Sequence, residues 1–200
     1  MSAARKDRLE SKTWWFPIIG RVPYKGFFSL DDAQDEEDKL KQEGFDTYLR
    51  PTAAFSTLGW FSDPILSTVL RADDVEVVET VLHELSHQYL FIPGRVTFNE
   101  SFATFVGRVG AAQFFCTRDG GGPDTSKCLR AQARWRDYQR FSVFVDSMMV
   151  ELEGIYGDLG LSHDDKVSRR EVIFTQALTR FDDEIAPTFE SVTFRGFRET

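Results

Sequence analysis

Cysteine, histidine and long apolar runs are all scarce in this chain of 200 residues, and each scarcity removes a class of protein. Two cysteines cannot build the disulfide framework of a small secreted domain. No apolar stretch reaches the ~18–20 residues that a membrane-spanning helix requires, so no transmembrane segment is expected. The opening MSAARKDRLESKT is charged and has no apolar signal-peptide core. The expectation is a cytoplasmic protein, or a chain whose natural N-terminal segment, periplasmic or membrane-anchoring, is missing. Basic charge is short as well: 24 Lys and Arg face 32 Asp and Glu, leaving a net charge of −8. Without a positive field to attract phosphate, nucleic acid is not an expected partner.

What the chain has in plenty is aromatic: 19 Phe, 5 Tyr and 4 Trp, enough to fill a core or line an apolar cleft. Its 22.9 kDa suits a single domain. The segment Trp14–Phe28 is apolar but broken by Pro17, Gly20, Pro23 and Gly26, and reads as short extended pieces with turns. Ser29 caps an acidic helix, LDDAQDEEDKLKQE, that stops at Gly44, and FDTYLR follows as a strand ended by Pro51. Strand, helix and strand together suggest a βαβ-like unit. AAFSTLGWFSD, from Ala53, is a second extended candidate.

Beyond Arg71 the period changes. Asp73 and Glu76 form a capping pair ahead of VVETVLHELSHQYLFI, a helix closed by Pro93 and Gly94. Further helices are predicted over Phe98–Phe115, Leu129–Tyr156 and Ser168–Phe181, with a Gly-rich loop at Asp119–Lys127 and an unassigned aromatic tail.

Two of the three histidines fall in His83-Glu84-Leu85-Ser86-His87, an H-E-x-x-H pattern inside that periodic helix. Residues four apart share a helix face, so both imidazoles can reach one metal ion. Glu84 is turned about 100° from His83 and stands beside the ion's open position. A catalytic zinc takes three protein ligands and a water. Pro93 occupies the place where a metzincin carries its third histidine, and His163 is remote and reads as a solvent-facing loop residue. The acid candidate is Glu100. Twelve residues separate it from His87, room for a helix end, a turn and an antiparallel return. A carboxylate among Phe98, Phe102 and Phe105 is costly without a cation to pair with. The plainer readings are a helix with incidental histidines and a Glu100 that only complements its helix dipole. Asn99-Glu100-Ser101 is also an N-glycosylation sequon.

HELSH followed by NESFA resembles the gluzincin metallopeptidases. WWFPIIGRVPYKGFFS, YLRPTAAFSTLGWFSDPILST, VVETVLHELSHQYLF and FNESFATFVG together resemble a bacterial family of zinc aminopeptidases, over about Trp14 to Gly110. The resemblance implies one zinc ion held by His83, His87 and Glu100, with Glu84 as general base, and a peptide or protein substrate. Such a zinc lowers the pKa of its bound water to about 7 and polarises the scissile carbonyl. Thr57, Leu58, Gly59 and Trp60 form either an edge strand that pairs with an extended peptide or an ordinary core strand with a bulge. Thr104 stands where thermolysin-like members carry a histidine-orienting acid. Tyr138 and Tyr156 are the downstream candidates for steadying the oxyanion, and Glu79 and Asp63 those for the substrate's α-ammonium. Cys116 and Cys128 bracket the Gly-rich loop and can close a disulfide of about 3 kcal/mol, which favours an oxidising compartment; unrelated thiols are the alternative.

The expected fold is α+β: one metallopeptidase-like domain over residues 1–200, possibly part of a longer chain. A small β-rich part (14–70) packs on a mostly helical part (73–181), zincin-like, with the metal in the cleft. The competing functional reading is a zinc-binding or interaction module that keeps this fold without turnover.

Overall fold

The computed structural model describes residues 1–17, 20–50 and 73–191 together with Phe194 and Phe197. The fold is α+β and mostly helical, and its residues divide into two compact units. Among the described residues, one comprises 1–50, 140–189, Phe194 and Phe197, and the other 73–139 with Glu190 and Ser191.

In the first unit, strand β1 (Ser2–Arg5) is followed by β2 (Trp14–Phe16) and β3 (Gly20–Val22). Helix α1 (Leu30–Gln42) and strand β4 (Phe45–Tyr48) come next. The Ser29 hydroxyl accepts the Asp32 N–H at 3.3 Å, satisfying one of the free amides of the first helical turn. Gly44, at φ +81°, takes the left-handed conformation that reverses the chain into β4. The βαβ-like expectation needs correction. β2 and β3 pair antiparallel with each other, Trp14 opposite Val22, as a separate two-stranded sheet. β4 instead pairs antiparallel with β1, Ala3 opposite Thr47 and Arg5 opposite Phe45. The charged N-terminal segment, left unassigned from sequence, supplies that partner. Ala3, Leu40 and Phe45 are buried together, with Met1 and Trp14 against them.

The same unit holds the C-terminal part of α4 (Ser126–Gly157) and helix α5 (His163–Arg180). Ser162 and Asp165 close a reciprocal capping box on α5, so this helix starts five residues earlier than its apolar period suggests. Phe144, Ala177 and Phe181 form a buried cluster that Phe141, Phe189, Phe194 and Phe197 extend. Phe141 stacks on Phe194 with ring centres 4.2 Å apart. The aromatic tail is therefore a cover for α4 and α5.

In the second unit, helix α2 (Asp74–Tyr89) lies against α3 (Val96–Thr117), and the N-terminal part of α4 completes it. Asp73 caps α2 by accepting the Val75 N–H at 3.0 Å and the Glu76 N–H at 3.4 Å. Leu90 ends α2, and Gly94, at φ +75°, turns the link toward α3. Val75, Phe115, Cys128 and Ala131 form the core. Cys116 and Cys128 are joined, their Cα atoms 4.8 Å apart, across the loop that turns through Gly120 and Gly122.

Candidate metal centre

α2 and α3 approach closely because α3 turns a stripe of small residues inward. Ala103, Gly107 and Ala111 follow at four-residue intervals and are all buried. At Gly107 the fit is closest: a Cβ there would stand 2.6 Å from the Glu79 carbonyl oxygen and 3.3 Å from the His83 Cβ. Gly110 would bring its Cβ to 2.8 Å from the Leu82 side chain. The two glycines thus let the helix bearing the histidines settle directly on α3.

Asn99 fixes the other end of the hairpin. It is 2% exposed, its side-chain oxygen accepts the Ile92 N–H at 3.0 Å, and its amide nitrogen donates to the Ile92 carbonyl at 2.9 Å. A side-chain amide here does the work of a peptide group. It satisfies the backbone of the link and locks it to the first turn of α3, one residue before Glu100. A buried amide with both ends engaged is not available to carry a glycan, so the sequon reading falls away.

With the helices so placed, His83, His87 and Glu100 come together. The Nε2 of His83 lies 3.5 Å from one Glu100 oxygen and the Nε2 of His87 lies 3.8 Å from the other. The imidazole rings are 5.0 Å apart and nearly perpendicular, at 84°. One ligating atom from each residue can be chosen so that all lie within 4.8 Å of one another. Two ligands at about 2.1 Å from a tetrahedral zinc are about 3.4 Å apart, so this donor set closes on an ion with side-chain adjustments of about 1 Å. Two imidazoles and a carboxylate are also a ligand set that zinc favours.

Electrostatics favours the ligating forms. Burial, opposed by the Glu100 charge and assisted by His83, holds the His87 pKa below the ordinary imidazole value. The hydrogen bond from His83 holds the Glu100 carboxyl below the usual carboxylate range, against its partial burial. Neutral imidazole and ionised carboxylate are the states a metal requires. Glu84 follows His83 on α2 and is half-buried.

The whole chain, residues 1–200, matches the family model described as "Putative aminopeptidase". The chain belongs to this aminopeptidase family. Nothing matches it among curated proteins or among solved structures.

The other candidates of this aminopeptidase-family chain are sorted by their surroundings. Glu79 does not offer a free carboxylate to a substrate ammonium: both its oxygens accept from the Arg134 guanidinium, at 2.8–3.0 Å. Tyr138 lies in the unit of the histidines, its ring 4.6 Å below the Arg108 guanidinium and stacked on Trp135. Tyr156 belongs to the other unit, where burial raises its pKa and Arg170 is its partner. His163 opens α5 rather than lying in a loop, and its Nδ1 meets Asp7 at 3.1 Å. Thr57, Leu58, Gly59, Trp60 and Asp63 lie outside the described residues. Sequence reasoning missed the Asn99 contacts with Ile92, the close approach at Gly107 and the pairing of Glu79 with Arg134. For Gly107 a signal existed, since small residues at four-residue spacing mark a close helix crossing.

Proposed function

We propose that this chain is a zinc-dependent aminopeptidase, with residues 1–200 acting as one metallopeptidase-like domain of gluzincin type. One observation supports the reading above the others: His83, His87 and Glu100, from two helices, each offer a ligating atom within 4.8 Å of the other two. Membership of an aminopeptidase family supports peptide-bond hydrolysis as the reaction.

In this mechanism His83, His87 and Glu100 would hold the ion. Zinc, when bound, supplies a Lewis acid that polarises the scissile carbonyl and makes water acidic at neutral pH. The carboxylate of Glu84 takes a proton from the attacking water and passes it to the leaving amine nitrogen, so one group serves as base and then acid. Glu100 contributes a negative charge that balances part of the dication's, and its tie to the α3 first turn through Asn99 keeps it in register with the histidines. Tyr138 and Tyr156 are the candidates to donate to a developing oxyanion, and Tyr138 is the one in the unit that carries the ligands.

Glu84→Gln tests the reading. The variant should keep its zinc and lose 100-fold or more of its turnover on aminoacyl-peptide substrates, the range typical of a lost general base (about 10²–10⁴). Undiminished turnover would remove Glu84 from the chemistry. Full zinc content with no turnover in the parent on any peptide would favour the non-enzymatic zinc-binding module.

A further inference from the structure

One helical turn before His83, α2 carries a buried ionic cluster that the hydrolytic chemistry does not use. Glu79 is 7% exposed and Arg134 8% exposed. The Arg134 Nε donates to both Glu79 oxygens at 3.0 Å and its Nη2 to Oε2 at 2.8 Å. A second guanidinium, Arg108, brings its Nη1 to 3.5 Å from the same Oε2. Its Nε and Nη1 are buried without a hydrogen-bond partner, and it rests on the face of Tyr138. Two guanidinium charges thus share one carboxylate. Their desolvation is offset chiefly by that charge and by a ring face, with Glu76 acting on both arginines and Asp73 on Arg134 from farther away.

The cluster is close to the histidines. Residues four apart on a helix are neighbours, which puts Glu79 beside His83. Gly107, the residue before Arg108, fits against both the Glu79 backbone and the His83 Cβ. A dication bound by His83, His87 and Glu100 would therefore sit near two buried positive charges, in surroundings that screen poorly.

We propose that Glu79 is a positioning residue for the metal centre. By offsetting one of the two charges of Arg134 and Arg108 it lowers the local positive potential enough for a divalent cation to be seated one turn away. This rests on the zinc reading above and adds to it a charge balance outside the ligand set. The cluster carries one excess positive charge as it stands, two if Glu79 loses its charge, and none if one arginine is also absent beside an intact Glu79. Metal affinity should follow that count and not the number of contacts retained.

The test is zinc affinity, measured by competition with a chromogenic chelator, on the whole folded chain. Glu79→Gln keeps the shape of the side chain and should raise the zinc Kd at least tenfold. Adding Arg108→Met to it restores the original charge count and should recover most of that loss, although the double variant has fewer contacts; a purely structural role would make it bind no better. Arg108→Met alone breaks no hydrogen bond from Nε or Nη1 and should tighten zinc several-fold, which keeps the test available if Glu79→Gln fails to fold. Equal affinity of parent and Glu79→Gln, no recovery in the double variant, or no tightening in Arg108→Met would overturn the inference and leave the zinc site intact. A parent that takes up no zinc would overturn both.

Discussion

Gly107→Ala is the smallest change that probes how the metal centre is built. A methyl added there would stand 2.6 Å from the Glu79 carbonyl oxygen, where ordinary contact begins at 3.4 Å. The obstacle is helix backbone and cannot rotate away, so α2 and α3 must part by about 0.8 Å, the difference between those distances. Overpacking of this kind costs about 1–3 kcal/mol. Against it stands the gain from replacing glycine inside a helix, about 0.5–1 kcal/mol. The net expectation is a loss of about 1–2 kcal/mol, a fall in Tm of about 3–6 °C for a chain of this size. Because the His83 Cβ lies 3.3 Å from the same added methyl, zinc affinity should fall with stability, by about tenfold. Gly154→Ala is the matched control. Gly154 lies inside α4 with nothing within 4 Å of its added Cβ, so there only the favourable helix term remains. Urea unfolding of both variants, with zinc titration of each, reads the result. A Gly107→Ala protein as stable as Gly154→Ala, with parental zinc affinity, would refute the close-crossing argument.

Asn99→Ala should cost about 2 kcal/mol, because it removes the two hydrogen bonds that hold the Ile92 backbone, each worth about 1 kcal/mol; urea unfolding measures it, and a change under 0.5 kcal/mol would contradict the clamp. Replacing Cys116 and Cys128 by serine should lower stability by about 3 kcal/mol in the chain-entropy model, and a reductant should lower the parent's melting temperature while leaving that variant unmoved. The metal-free protein should lose stability as pH falls. Folded His87, held below its ordinary pKa mainly by burial, binds fewer protons than unfolded His87 in the interval below about 6.5. Glu100, held low by the His83 hydrogen bond, repeats this below about 4.3. Denaturant midpoints from pH 7 to pH 5 should therefore slope downward, less steeply in His87→Gln; a flat parent profile would count against the burial of His87.

Much of the local structure was legible in the residues because its causes are local. Ser29 and Asp73 cap their helices with their own side chains, and Gly44 and Gly94 turn the chain where positive φ is required. The spacing of His83 and His87 is itself a helical measurement, so their shared face followed directly. What escaped depended on distant partners. Ala3 meets Thr47 across 44 positions, and nothing in a charged N-terminal segment announces that strand pair. Glu79 and Arg134 are 55 apart, and as separate letters each reads as a surface charge. Asn99 carries no signal in the sequence, beyond an incidental sequon, that its amide holds the Ile92 backbone. The α5 start is the exception: Ser162 and Asp165 are a local capping signal that a reading by apolar period passes over.

Zinc content of the purified chain, measured by elemental analysis beside a His83→Ala/His87→Ala variant, tests the metal centre most directly. The expected result is about one zinc per parent chain and none in the variant. A parent without zinc after reconstitution, or a double variant that retains it, would contradict the site built from His83, His87 and Glu100.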